Sequence, residues 1–194
     1  MKNKLKPIVY IICGVFINLK YTKKFLNCIE KQSYPNINTL IIDDGSTDGT
    51  YEYIKKNYSD VAVLKGDGNL WWTGAIYWGV EEVLKIANQN DFILTINNDC
   101  VFSDNYIENL LKTSLSNKRA VVGSLGIDSN SKKLIYDAGI QIDWPQGEFM
   151  QLGPKLVKDL PGNIKIQEAI DTLSTKGTLF PVEVFKKIGS NRKI

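Results

Sequence analysis

A chain of 194 residues, 43% hydrophobic and 23% charged, suits one soluble globular domain with a core of its own and excludes fibrous and disordered classes. Its 24 basic and 21 acidic residues leave a net charge of +3, too balanced for a nucleic-acid footprint yet suited to a small phosphate-bearing ligand. There is no histidine, and the three cysteines (Cys13, Cys28, Cys100) lack metal-ligand spacing, which excludes His triads, most zinc enzymes and a disulfide framework and points to a reducing cytoplasm.

Residues 1–6 (MKNKLK) followed by residues 7–17 (PIVYIICGVFI) imitate the charged and apolar regions of a secretory signal. The apolar run is rich in β-branched residues, lacks a small-residue cleavage site and is too short to span a bilayer, so it reads as a buried first strand over residues 8–12. A helix follows with Tyr21, Phe25, Cys28 and Ile29 on one face, ending near Ser33-Tyr34-Pro35, and a second strand covers residues 39–43. The next helix, capped from Ser46, Thr47 or Asp48, turns Tyr51, Ile54 and Tyr58 inward, and a third strand spans residues 61–64.

After the turn-rich loop 65–69 (KGDGN), Ile76, Val80, Val83 and Ala87 recur at helical spacing, and a fourth strand occupies residues 92–96. Ser103 or Asp104 can cap a helix burying Ile107, Leu110 and Leu111, and residues 120–125 read as a fifth strand. Further on, residues 134–142 suggest a strand pair or meander, residues 144–162 a loop, and residues 182–188 a short helix. The strand–helix alternation predicts an α/β fold with a mostly parallel central sheet and helices on both faces.

In such a sheet ligands bind beyond the carboxyl ends of the strands, near a switch in strand order. The second strand ends in Asp43-Asp44-Gly45-Ser46 and the fourth in Asn97-Asn98-Asp99, which places acids and amides at two strand ends. Asp43 or Asp44 can accept hydrogen bonds from a nucleoside base or ribose, and Asp99 can coordinate a divalent cation, Mg²⁺ or Mn²⁺, on a diphosphate. Singly, each of these acids is better explained by a turn or a helix cap, and it is their coincidence at two strand ends that favours a site. Trp71 or Trp72, directly after the glycine-containing loop, is a candidate for stacking on a sugar ring, whereas Trp78 falls on the core side of its helix.

Residues 7–50, with Gln32-Ser33-Tyr34-Pro35 and IIDDGSTDGT at 41–50, resemble the opening of family 2 glycosyltransferases. Residues 66–79 (GDGNLWWTGAIYWG) and 93–99 (ILTINND) resemble the next blocks, most closely in the rhamnosyltransferase-like branch, and residues 175–189 (TKGTLFPVEVFKKIG) resemble the acceptor-side block. The resemblance implies one GT-A domain over 1–194, its nucleotide-sugar-binding half at about 1–125 and an incomplete acceptor-side half at about 126–194.

It further implies a nucleoside-diphosphate sugar donor, UDP- or dTDP-linked, and an inverting, metal-dependent transfer to a glycan or lipid-linked acceptor in cell-surface polysaccharide assembly. Asp44, with Asp43 beside it, would contact the base and Asn98 would sit near the ribose. Cys13 and Gly14 would line the base pocket, with Asn69 as a further nucleotide contact, and Asp99 would hold the metal. Trp71, Trp72, Lys176 and Gly177 are the sugar or acceptor candidates. Peripheral association with the inner face of the membrane and a homodimer complete the expected partners.

The sequence departs from the family at residues 13–16 (CGVF), at Tyr77, and in having a single acid in Asn97-Asn98-Asp99. An inverting transfer needs a base for the acceptor hydroxyl, and in the family that acid follows the acceptor-side block. Glu183 and Asp171 do not match its position, so the base is expected beyond Ile194, in a C-terminally truncated chain with weak or absent transfer. Two other classes compete. A nucleotidyltransferase would carry a glycine- and arginine-rich loop where Cys13-Gly14-Val15-Phe16 stands, and a non-catalytic nucleotide-sugar or carbohydrate-binding role would rest on the tryptophans and the missing base.

Overall fold

The computed structural model describes residues 6–160 and 170–188. Its described residues fall into two compact units, one running to Val122 and resuming at Leu179, the other comprising Gly123–Thr178.

The first unit alternates strands and helices: β1 (Val9–Val15), α1 (Leu19–Glu30), β2 (Ile37–Asp43), α2 (Thr50–Asn57), β3 (Val61–Lys65), α3 (Trp71–Leu84), β4 (Phe92–Thr95) and α4 (Tyr106–Ser116). The chain returns through β10 (Thr178–Pro181) to α5 (Val182–Ile188), and β5 (Val122–Gly123) lies at the edge of the central sheet, whose order is β3-β2-β1-β4-β10-β5. β1 pairs in parallel with β2, from Val9 opposite Ile37 to Val15 opposite Asp43, and also with β4, while β2 pairs in parallel with β3. The strand order switches between β1 and β4, so a crevice is expected beyond the carboxyl ends of β1, β2 and β4.

Strand alternation feeds both faces of this sheet. Val9, Ile11, Cys13 and Val15 join Ile41, Phe25, Leu26, Ile107, Leu110 and Leu111 in one core, whereas Tyr10, Ile12 and Ile42 join Ala75, Ile76, Val80 and Val83 in the other. Each fully buried Leu, Ile or Phe contributes about 1.5–3 kcal/mol relative to exposure. Close packing on the second face depends on Gly79, where an added Cβ would fall 2.5 Å from Ile12 and 2.7 Å from Ile42.

Several expectations shift. The first strand runs to Val15, so Cys13 and Gly14 are strand residues and not loop residues. Tyr21 is 44% exposed, and Thr22, at 0%, takes the inward position on α1. The expected fifth strand contracts to two residues, and β10 was not anticipated because its four residues, Thr178–Pro181, carry no flanking period.

In the second unit β6 (Gly126–Ile127) pairs antiparallel with β7 (Ile135–Asp137), and β8 (Ile140–Asp143) with β9 (Glu148–Gln151). The segment expected as loop over 144–162 therefore contains a strand, since the tight turn before β9 allows Asp143 to stand opposite Glu148. A 3₁₀ turn covers Val157–Asp159. Residues 161 and 162 of that segment, like residues 1–5 and 189–194, lie outside the described residues. Among the described residues no helix is long and apolar enough to cross a membrane.

Candidate functional site

The loop after β2 organises the carboxyl end of the sheet. Asp43, fully buried, accepts the Ser46 N–H on Oδ1 at 2.8 Å, while its Oδ2 is buried with no hydrogen-bond partner. A buried acceptor left unpaired costs about 1–3 kcal/mol, which makes this oxygen a marked exception in a folded protein.

Asp44 is engaged differently. Its Oδ1 accepts the Gly68 N–H at 2.9 Å, and Oδ2 accepts those of Leu70 at 2.9 Å and Trp71 at 3.0 Å. The carboxylate is thus wrapped by the loop between β3 and α3. Glycine at 66 permits the wrap, because a Cβ there would lie 2.6 Å from Asp44 Oδ1. Both oxygens of Asp44, the expected base contact, are turned into this loop.

Asp48 joins two helices. Its Oδ2 accepts the N–H of Leu19, the first residue of α1, at 2.7 Å, and its Oδ1 accepts the backbone N–H and the hydroxyl of Thr50 at the start of α2. The Thr50 hydroxyl, with the backbone donors of Leu19 and Thr50 behind it, holds the Asp48 carboxyl below the usual carboxylate range. Ser46 Oγ takes the Ile17 N–H at 2.8 Å. These contacts restrain a β1–α1 connection in which Ile17 (φ 58°) and Asn18 (φ 68°) are both left-handed, a conformation unusual for a β-branched residue.

At the end of β4, Asn97 Oδ1 accepts the Trp72 indole N–H at 2.9 Å, and Asn98 Nδ2 donates to Thr22 Oγ1 at 3.0 Å. Asp99 is exposed. Trp71 is 82% exposed, with a left-handed backbone at φ 55°, and Trp72 is 37% exposed. Trp78 packs against the second core, as expected of it, and donates to Glu82 at 3.3 Å.

Asp43, the last residue of β2, and Asp44, Asn69, Trp71, Trp72, Asn98 and Asp99, in loops or a first helical turn, therefore all lie at the carboxyl ends of β2, β3 and β4. Asn69 is exposed, its backbone N–H turned to Asp67. Cys13 departs from expectation: its side chain is fully buried in the first core, so it can offer a ligand only backbone, and burial pushes its thiol well up. Gly14 meets α3, where a Cβ would sit 3.0 Å from Ala75.

Lys176 and Gly177 belong to the second unit, Lys176 with its ammonium 5.1 Å from the Tyr136 ring centroid and Gly177 with its carbonyl accepting the Ser124 hydroxyl. Glu183 is ion-paired with Arg119 at 2.8 Å, whose guanidinium holds that carboxyl below its ordinary range. Asp171 accepts the Ile142 N–H at 2.9 Å. Thr22 and the Trp72–Asn97 bond went unforeseen from sequence; a cap of the following helix from Ser46, Thr47 or Asp48 was expected, but not that Asp48 also holds the start of α1.

The donor chemistry for a cation is limited. Among the described residues no three His, Cys, Asp or Glu side chains stand together as a metal-binding group. Asp99 fits Mg²⁺ or Mn²⁺ as one oxygen ligand among waters and substrate phosphates, an arrangement familiar for Mg²⁺.

A relative from Rickettsia typhi (strain ATCC VR-144 / Wilmington), described as an uncharacterized glycosyltransferase, is 26% identical over 139 residues, covering 70% of this chain and 42% of its own. S. aureus TarS in complex with UDP-GlcNAc superposes with a TM-score of 0.65 at 14% identity, over 93% of this chain and 47% of its own. A mannosyltransferase from Pyrobaculum calidifontis in complex with GDP-Man and Mn²⁺ gives 0.63 at 13% identity, over 96% and 48%. The chain thus spans less than half the length of these proteins, and the likeness shows a GT-A fold. Residues 10–189 match the pattern described as Glycosyl transferase family 2, and the chain belongs to that family.

Proposed function

We propose that this protein binds a nucleoside-diphosphate sugar across the carboxyl ends of β1, β2 and β4 and takes part in inverting, metal-dependent transfer of the sugar to a glycan or lipid-linked acceptor. The observation that carries this reading is Asp43 Oδ2, a buried acceptor without a donor at the carboxyl end of β2, opposite Val15 of β1. A keto base supplies what it lacks through a ring N–H, at N3 in uracil and thymine and at N1 in guanine, whereas adenine and cytosine offer only an exocyclic amino group. Reaching the oxygen requires local opening, since it is buried in the free protein. Asp43, more than Asp44, is then the base-reading acid, with Asn98 and Asn69 as flanking contacts.

Asp99 is proposed as the protein ligand to Mg²⁺ or Mn²⁺ on the donor diphosphate. When bound, the cation supplies neutralisation of the charge that accumulates on the leaving diphosphate. The chain's own share is to hold the donor, with Asp99 presented by the turn after β4. Trp71 is the better sugar-stacking candidate, because it is 82% exposed, whereas Trp72 is 37% exposed and tethered to Asn97. TarS with UDP-GlcNAc and the mannosyltransferase with GDP-Man and Mn²⁺ support this donor class.

The resemblance of residues 66–79 and 93–99 supports the rhamnosyltransferase-like branch and surface polysaccharide assembly at the inner face of the membrane. That of residues 175–189 supports Lys176 and Gly177 as acceptor-side contacts. No base is assigned: Glu183 and Asp171 are both engaged in hydrogen bonds.

Calorimetric titration with UDP, dTDP, GDP, ADP and CDP, each with and without Mn²⁺, tests the proposal. UDP, dTDP or GDP should bind, more tightly with Mn²⁺, and Asp43→Ala should weaken binding by about tenfold or more, as for a lost hydrogen bond to a charged group. Equal affinity for ADP and CDP would sink the role of Asp43; no binding by any of the five would sink the donor site.

A further inference from the structure

The turn Asn97-Asn98-Asp99 is gripped from both sides. On one side the Trp72 indole, in the first turn of α3, donates to Asn97 Oδ1 at 2.9 Å. On the other, Asn98 Nδ2 donates at 3.0 Å to the hydroxyl of Thr22, which is fully buried in α1. An indole is a donor only, so it dictates which end of the Asn97 amide faces it. The Cys100 N–H bonds the Asn97 carbonyl at 3.3 Å and closes the turn. Two side chains of the motif are thereby fixed, and the one left exposed is the acid.

Both grips trace back to the loop after β2. Asp44 gathers Gly68, Leu70 and Trp71 immediately before Trp72, and Asp48 holds the first N–H of α1, one helical turn before Thr22. A closed path of hydrogen bonds and helical turns therefore runs from Asp44 through Trp72, Asn97, Asn98, Thr22 and Leu19 to Asp48.

We propose that Trp72 is a positioning residue which, with Thr22, clamps Asn97-Asn98-Asp99 so that Asp99 meets the cation on a nucleotide held at the loop after β2. The proposal rests on the donor-binding reading above. The two asparagines serve as mounts for the acid, and the coupling between nucleotide and metal is carried by the clamp.

The test is the ratio of affinities with and without Mn²⁺ for whichever of UDP, dTDP and GDP binds most tightly. It is measured by calorimetry in the wild type, Trp72→Phe, Thr22→Val, the double variant and Asp99→Asn. Asp99→Asn should abolish the Mn²⁺ enhancement. Trp72→Phe and Thr22→Val should each reduce it about three- to tenfold, the effect of one hydrogen bond. Circular dichroism controls for folding, and the indole N–H resonance of Trp72 should move on Asn97→Ala without any ligand.

An enhancement lost in Asp99→Asn yet unchanged in Trp72→Phe and Thr22→Val overturns the clamp while leaving the donor site standing. An indole resonance indifferent to Asn97→Ala also overturns it. Absence of nucleotide binding or of any Mn²⁺ enhancement in the wild type overturns the donor reading, and the clamp with it.

Discussion

The carboxylate of Asp48 meets the backbone N–H of Leu19 at 2.7 Å across 29 residues of sequence, while its other oxygen holds Thr50. One side chain thus serves the first turns of α1 and α2. Neither N-cap residue, Asn18 or Gly49, makes a side-chain cap of its own.

Asp48→Ala should therefore cost about 1–2 kcal/mol, the upper part of the range for a lost cap. The pH dependence has a definite sign. A carboxyl held low in the folded state stabilises the fold above the ordinary side-chain value of 3.8, and that contribution disappears as pH falls through the lower folded value. Urea denaturation at pH 7 and at about pH 2–3 should show the wild-type advantage over Asp48→Ala shrinking in acid; a constant gap contradicts the assignment.

Asp44→Ala removes the acceptor for three loop amides. The expected result is faster hydrogen exchange at Gly68, Leu70 and Trp71, with a stability loss of about 2 kcal/mol or more for unpaired donors and lost charge-assisted bonds. Were Asp44 only a base contact, exchange at those amides would be unchanged.

Trp71 sits at φ 55° with its ring exposed, so Trp71→Gly relieves backbone strain and removes little packing. A gain of about 1 kcal/mol is expected, or roughly 2–4 °C in melting temperature for a chain of this size. If the indole is a sugar platform, the same variant should bind a nucleotide sugar no better than the bare nucleoside diphosphate.

Gly79→Val places carbon where Ile12 and Ile42 already lie, at 2.5 and 2.7 Å from the new Cβ. Overpacking of this kind costs about 1–3 kcal/mol, measurable as a lower denaturation midpoint without loss of helical signal.

Cys13 is fully buried, with its thiol pushed well up, whereas Cys28 and Cys100 are half-buried. A thiol reagent at pH 8 should modify Cys28 and Cys100 first and reach Cys13 only on unfolding. Rapid native modification of Cys13 would show that β1 opens.

Much of the helical packing was legible locally. Ile76, Val80, Val83 and Ala87 repeat at helical spacing and are all buried, and Ile107, Leu110 and Leu111 likewise, because the apolar period is itself the cause of burial. Tyr21 illustrates the limit: spacing made it inward, yet Thr22 fills that place because its hydroxyl has a partner in Asn98 that lies 76 residues away. β10 has four residues and depends on the sheet for its pairing, so nothing local announced it.

Residue order alone was enough to set the α/β alternation, the family pattern over most of the chain, and acids and amides at the ends of two strands, β2 and β4, which flank β1 in one sheet. Those features depend on local periodicity and on short motifs. Which acid does what was decided only by the tertiary structure: Asp43 keeps a buried oxygen unpaired, Asp44 gathers a loop, Asp48 caps two helices and Asp99 stays exposed. The physical reason is that a carboxylate's role is set by the donors that reach it. For Asp43 one donor came from the next turn, while for Asp44 and for the α1 bond of Asp48 they came from segments 24 to 29 residues away, which no local pattern encodes.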